Sequence, residues 1–419
     1  MITLDREAFQ SQPLHKLLPS LIHAFGAQRP RLDRLHRYAQ GRHDILLRSR
    51  PEGLPNQRLS HGFPRYIAQL MAGYLLGEPV DYENPHQPEA VSVLNRVYRA
   101  GGAEQADMEL AYQQSVFGRA VSLCYHGQQG QPQVAALDPR SAFVVRDDTV
   151  ERRPLMGVLL AGAGDNRTAT IYTAEQVLRC PLDGGGRLGP ARTAGHLFGS
   201  VPMVEYLNDL EGQGDFEEVL PLIDAYDLLS SDRLNDRAQF ADALLVLTGV
   251  MGLGTAEDPT DFRSAARRLR QDRTLALPDS DAKAEWLLKN PVEKDIDVLR
   301  QALANDIHKF SMTPDFSDER FAGNLSGIAI KYKLFCLEQK IRLKERWFIS
   351  GLRERARLMA HCMAQSGLPP LDAEQLTIRL QRRLPESDLE RAQTLRTLAG
   401  LVPDSTLAEH APINDQTTT

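Results

Sequence analysis

The sequence is poor in aromatic residues, which fill 6% of its 419 positions and include only two tryptophans. So little ring surface favours aliphatic helix packing over a β-sandwich core. The four cysteines, Cys124, Cys180, Cys336 and Cys362, form no CxxC pair. That spacing argues against a zinc knuckle, and scattered thiols fit a chain that folds in a reducing cytoplasm. No apolar run approaches the ~20 residues of a membrane helix. The opening MITLDREAFQSQP has neither the basic start nor the apolar middle of a signal peptide. No membrane partner is expected.

Catalytic signatures are missing as well. Lysine never follows glycine, so there is no Walker-type phosphate loop, and neither HExxH nor GxSxG occurs. Gly249–Gly254 reads GVMGLG, which fits GxxGxG rather than GxGxxG and lacks a strand–helix context; it reads as a tight turn. His36, His43 and His61 have no carboxylate or cysteine at ligand spacing and read as surface or hydrogen-bonded histidines. The acid pairs Asp147-Asp148 and Glu217-Glu218 sit among polar neighbours and are expected to be solvated. The chain is therefore not read as an enzyme, and no cofactor or metal is expected.

Excess positive charge is the last absence. The formal net charge is −6, whereas a protein whose task is to grip nucleic acid is usually basic. Any role near DNA must rest on local patches or on contact without tight binding.

What is present is a globular composition, 42% apolar and 25% charged, with length enough for more than one folding unit. Residues 1–115 read mainly as helices. One is marked by Phe63, Ile67, Leu70, Met71, Tyr74 and Leu75 and stopped by Gly77-Glu78-Pro79; others span about 89–100 and 104–116. From Gly118 to Glu205 short β-prone runs alternate with turn clusters: Ala120–Tyr125, Val134–Leu137, Phe143–Arg146, Met156–Leu160 and Thr168–Tyr172. They predict an antiparallel sheet packed on the first helices, with Asp183–Gly199 a mobile glycine-rich loop. Helix returns near 215, with Pro221 in its first turn or kinking it. An insert over 242–290 holds strand-like runs at Ala243–Leu247 and Thr274–Leu277 and a basic helical run over Phe262–Gln271. A helix follows from Val292 to Met312, then a polar break over Thr313–Gly323. A long helix is predicted from Leu325 to Ser366, then a short helical tail, with 403–419 disordered. The fold class is α+β, mainly α.

Charge is unevenly placed. Residues 213–240 hold seven acids against Arg233 and Arg237. The long helix is the reverse, with Lys331, Lys333, Lys340, Arg342, Lys344 and Arg346 among its cations. By itself that face reads either as a solvated amphipathic surface or as a nucleic-acid contact.

Three blocks carry a resemblance. Asp44–Tyr82 reads DILLRSRPEGLPNQRLSHGFPRYIAQLMAGYLLGEPVDY. Val204–Tyr226 reads VEYLNDLEGQGDFEEVLPLIDAY. Asp295–Leu337 reads DIDVLRQALANDIHKFSMTPDFSDERFAGNLSGIAIKYKLFCL. In this order they resemble the portal proteins of long-tailed bacteriophages, which form the head-to-tail connector. Cys336 departs from the pattern, standing where the family often has a small residue, and the chain is short after the long helix.

The resemblance implies a ring-forming subunit with wing, stem, clip and small crown. It implies a wing over 1–216, stem helices over 217–241 and 291–312, and a clip over 242–290. A tunnel loop over 313–325, a long tunnel helix over 326–366, a reduced crown over 367–402 and a tail over 403–419 complete it. The implied partners are a homo-oligomeric ring of twelve, double-stranded DNA passing through, the terminase large subunit, a head-completion adaptor, and major capsid and scaffolding proteins. The implied location is the virion's portal vertex, after assembly in host cytoplasm. Tunnel-loop residues expected near DNA are Thr313, Asp315, Phe316, Asp318, Glu319, Arg320, Phe321 and Asn324. Channel-lining candidates are Asp295, Asp297, Asp306, Lys331 and Lys333. The arginines Arg263, Arg267, Arg268 and Arg270 are the expected clip docking cluster. The remaining alternatives are a capsid-associated structural protein without a channel and an enzyme acting on nucleic acid.

Overall fold

A computed structural model describes residues 2–52, 54–128, 130–162, 166–183, 187–240, 244–248, 283–287, 293–316, 332, 334–382 and 396–399. The backbone divides into two units. One comprises Met1–Arg42, Gly62–Pro221 and Asp306–Thr419; the other comprises His43–His61 and Leu222–Asn305.

The first unit opens with strand β1 (Ile2–Leu4) and helices α1 (Arg6–Ser11), α2 (Leu14–Gly26) and α3 (Arg29–Ala39). Asp5 starts α1 by accepting from the amides of Glu7 and Ala8. Next come α4 (Phe63–Leu75), β2 (Asp81–Glu83), α5 (Pro88–Ala100) and α6 (Ala103–Phe117). Proline in the first turn of α3, α4 and α5 suits a position with no amide to satisfy. The strands then run β3 (Arg119–His126), β4 (Pro132–Leu137), β5 (Ala142–Asp147), β6 (Pro154–Ala161), β7 (Arg167–Tyr172), β8 (Gln176–Leu182), β9 (Arg192–Gly195) and β10 (Met203–Leu207).

Every strand expected over 118–205 is present, but they form two sheets where one was expected. One has order β1-β5-β6-β7-β8-β9, with β1 parallel to β5; the other has order β10-β3-β4. The division follows from which faces are apolar. Phe143, Val145, Met156, Val158, Ala169 and Ile171 pack against Leu17, Leu18, Leu21 and Phe25 of α2, with the Phe25 and Phe143 rings stacked at 4.5 Å. Val121, Val144, Val201 and Met203 form a second cluster. The expected mobile loop over 183–199 needs correction. Its Arg192–Gly195 part is β9, paired with β8 in register from Gln176↔Gly195 to Arg179↔Arg192. Backbone pairing holds it despite the absence of buried side chains there. A second correction concerns Asp147, expected to be solvated. It is buried, and its carboxylate accepts from Thr149 Oγ1 at 2.7 Å and from the Arg153 amide at 3.1 Å.

Leu220–Phe240 is α7, β11 (Leu244–Thr248) pairs antiparallel with β12 (Lys283–Leu287), and Glu293–Ser311 is α8. Pro221 lies in the first turn of α7. The long helix α9 is described from Phe335 to Gln365; the residues expected to begin it lie largely outside the described ones. Its buried face, through Leu337, Ile341, Phe348, Leu352, Ala356 and Met359, repeats at helical spacing. Gly351 lets α9 approach β10: a Cβ there would fall 2.3 Å from the Tyr206 ring. Directly after α9 the chain forms a 3₁₀ turn (Ala373–Gln375) and β13 (Thr377–Arg379), paired antiparallel with β2, and residues 396–398 of the expected tail are helical. Ile378 is buried and its neighbours are exposed, the alternation of a strand.

Candidate functional site

Three polar constellations hold the segments that the sequence marks as functional. The first two lie in the first unit. Asp215, in the block before α7, is buried against α9. It accepts from Lys344 Nζ at 2.6 Å and from Asn208 at 3.0 Å, and Lys344 also donates to Ser115 Oγ at 2.5 Å. Lys340 Nζ lies 3.6 Å from the same carboxylate. Burial pushes the Asp215 carboxyl up, but Lys344, Lys340 and Asn208 outweigh it and hold it at about 2. Lys344 is thus a buried counter-ion, not part of a solvated basic face.

The second is the root of the expected tunnel loop. Ser311 ends α8 and Met312 turns the chain at φ +58. Thr313 is buried, its hydroxyl 2.5 Å from that of Ser311 and its amide bonded to His308 O. Tyr66 donates to Pro314 O at 2.5 Å, and Lys340 to Ser311 O at 3.2 Å. The His308 ring stands edge-on to Phe63 and Tyr66, with its Nε2 3.9 Å from Asp315. Phe316 is half exposed just beyond. Asp318, Glu319, Arg320, Phe321, Asn324, Lys331 and Lys333 lie outside the described residues.

The third constellation, in the second unit, was not foreseen. Residues 43–61 form a strap against α7. Asp227, Ser231 and Asn235 repeat at i, i+4 and i+8, so they line one face of the helix. All three are buried. Asp227 accepts from the His61 amide at 2.9 Å, Ser231 Oγ from the Leu59 amide at 3.0 Å, and Asn235 Oδ1 from the Gln57 amide at 2.6 Å. Asn235 also donates to Gln57 O at 3.0 Å. The spacing works because four helical residues rise about 6 Å and two extended residues about 6.6 Å. His43 Nδ1 meets Asp227 Oδ2 at 2.5 Å and His61 Nδ1 meets Oδ1 at 2.7 Å. Burial pushes the Asp227 carboxyl up, and these two histidines more than reverse it, leaving it below its ordinary range. Arg48 and Arg50 both reach Asp232. His43 and His61 are thus hydrogen-bonded, as read; the polar i, i+4, i+8 repeat on α7 was the signal available for their partner.

Within this unit α7 and α8 run antiparallel, joined by Arg233 to Asp297 and by Arg300 to the Tyr226 hydroxyl at 3.3 Å. Of the acids expected to line a channel, Asp297 is therefore ion-paired, Asp295 is exposed and Asp306 is half-buried. The arginines Arg263, Arg267, Arg268 and Arg270 lie outside the described residues. Among the described residues no group of three or more His, Cys, Asp or Glu could hold a metal ion, and no helix is long and apolar enough to cross a membrane.

These features define scaffolding polar networks within a mixed helix-and-sheet fold. Residues 19–418 match the family model described as phage portal protein, SPP1 Gp6-like, and the chain belongs to that family. The portal protein of Clostridium phage phiCD119 is 24% identical over 223 residues, covering 52% of this chain and 47% of that protein. The chain thus spans about half the length of that relative. The portal protein of Bacillus phage SPP1 is 21% identical over 361 residues, covering 81% of this chain and 69% of the other. Among solved structures, the neck of an empty gene transfer agent particle computed with C6 symmetry gives a TM-score of 0.49 at 14% identity, covering 83% of this chain and 89% of that one. The neck of the native particle computed with C12 symmetry gives 0.47 at 14% identity, covering 84% and 89%. Those structural likenesses are shallow.

Proposed function

We propose that this chain is the subunit of a twelve-membered ring at one capsid vertex, through which double-stranded DNA passes during packaging and ejection. The observation that carries this reading is family membership over residues 19–418. On it, α7 and α8 are stem helices, the paired strands β11 and β12 belong to the clip, and 313–325 is the tunnel loop. The wing comprises 1–216 and 326–366 is the tunnel helix, with a reduced crown over 367–402. The clip, with its arginine cluster, is the docking site for the terminase motor and then for the head-completion adaptor.

A channel must touch the duplex without holding it, since each neutralised phosphate strengthens binding and steepens its salt dependence. The acid-rich stem suits a wall that repels DNA weakly. With Asp297 engaged by Arg233, that role falls to Asp295 and Asp306. Thr313, being buried, anchors the loop, and Phe316, exposed just beyond it, is placed to meet a passing strand. Light scattering and electron microscopy of the purified chain test this reading. A particle with a central hole near about 560 kDa, twelve copies of the 46.8 kDa chain, is expected. A monomer or dimer at every salt and protein concentration overturns it.

A further inference from the structure

The described part of the second unit buries mainly polar side chains. The buried ones are His43, Asp227, Ser231 and Asn235 with only Ile223 and Tyr226, while Leu47, Leu54, Leu59, Leu228, Leu234, Val298 and Leu299 are exposed. Globular units normally do the reverse, and an exposed apolar set of this kind marks a contact surface.

The set divides into two faces on opposite sides of α7. At about 100° per residue, the strap-binding residues centre on one side of that helix. Arg233, which holds α8, lies about 160° from their centre, while Tyr226 sits between the two sides, accepting from Arg300 of α8 and placing its ring 4.7 Å from that of His61. The strap is held through its backbone at Gln57, Leu59 and His61 and through the side chains of His43, Arg48, Arg50 and His61, and three of its leucines point out: Leu47 is 75% exposed and Leu54 and Leu59 are also exposed. Beside them Arg58 donates only to the carbonyls of Leu46 and Arg48 among the described residues. On α8, the side turned away from Asp297 carries Asp295, Val298, Leu299 and Ala302, at i, i+3, i+4 and i+7. That is the spacing of an apolar seam. All four are exposed, Val298 at 70%, and Asp295 has no partner among the described residues.

We propose that the outer face of the strap docks on the outer face of α8 in a second copy of this chain, with Arg58 meeting the acidic end at Asp295. The two faces are both aliphatic and opposite in charge. Because they lie on opposite sides of one helix, the contact is head-to-tail and repeats until it closes a ring. The strap arrives preorganised, since its hydrogen bonds to α7 fix it before docking. This inference rests on the ring reading and specifies its seam. It moves Asp295 from the open lumen to that seam.

The test uses the full-length chain with exposed-residue variants, each checked by circular dichroism. Leu47→Asp combined with Arg58→Glu disables the strap face; Val298→Asp combined with Asp295→Arg disables the α8 face. Each is expected to sediment as monomer where the native chain is a ring. Mixed one to one, they are expected to form dimers and nothing larger, because each retains one intact face. The single changes Arg58→Glu and Asp295→Arg guard against misfolding of the double variants. Each is expected to weaken association about tenfold or more, and their combination in one chain is expected to restore it. If all these variants still form rings as the native chain does, this seam is wrong and the ring reading stands. If the native chain never assembles, both fall together.

Discussion

Lys344 and Asp215 show how a charge read as surface becomes structural. A lysine in a run of cations on an amphipathic helix reads as solvated, yet Lys344 is buried on Asp215 and Ser115. Removing one member of such a pair strands the other charge, so Lys344→Met is expected to cost about 3–5 kcal/mol in denaturant unfolding. The same carboxylate sets an acid limit. Its folded-state pKa is about 2 against an ordinary 3.8. The lowered value contributes stability at all pH above the unfolded value, and that stability is lost as pH falls through the folded one. The contribution is about 2 kcal/mol. Thermal melts of the native chain are expected to fall between pH 4 and 2. Lys344→Met should not reproduce that acid dependence in full. Gly351 poses the opposite problem of crowding. Its missing Cβ makes room for Tyr206, and Gly351→Ala is expected to lower stability by about 1–3 kcal/mol through overpacking.

At the scale of elements, the strap and α7 form one recognition device. Three helix side chains take up amides two residues apart on an extended segment, so at Gln57, Leu59 and His61 the contact reads backbone. Asp227→Asn keeps the shape but removes the charge that faces two histidines. It is expected to cost about 1.5–3 kcal/mol, and Ser231→Ala about 1 kcal/mol. Hydrogen exchange should report it locally, with the amides of Leu59 and His61 exchanging faster while those of the β5–β6 pair stay protected. Unchanged exchange in Asp227→Asn would mean that Ser231, Asn235 and the Arg48 and Arg50 pairs on Asp232 hold the strap without it.

For the molecule as a whole, family membership shows what kind of protein this is, and the assembly is what remains to be measured. The proposed ring explains several features at once: the negative net charge, the exposed aliphatic stripe beside Asp295 on α8, and the outward leucines of the strap. Raising the salt is expected to loosen a seam that includes the Arg58–Asp295 contact while leaving its aliphatic part intact. Sedimentation across salt should therefore show partial dissociation and not collapse to monomer.

The sequence by itself determined the main helices, five of the strands and the family, because periodicity and turn residues act locally. Phe63–Leu75, Pro88–Ala100, the five strands between 119 and 172 and the helix over 293–311 all follow from such patterns. It did not determine which charges are buried. Lys344, Asp147 and Asp227 look like their solvated neighbours in one dimension, and only residues over a hundred positions away give two of them partners. Nor did it mark β9 or β13, which are short and polar and exist because an edge strand was there to pair with. The strap is the clearest case. Its sequence of turn formers and scattered arginines has no period, and its structure comes from the polar face of α7, which supplies the hydrogen bonds that an isolated extended segment must otherwise take from water.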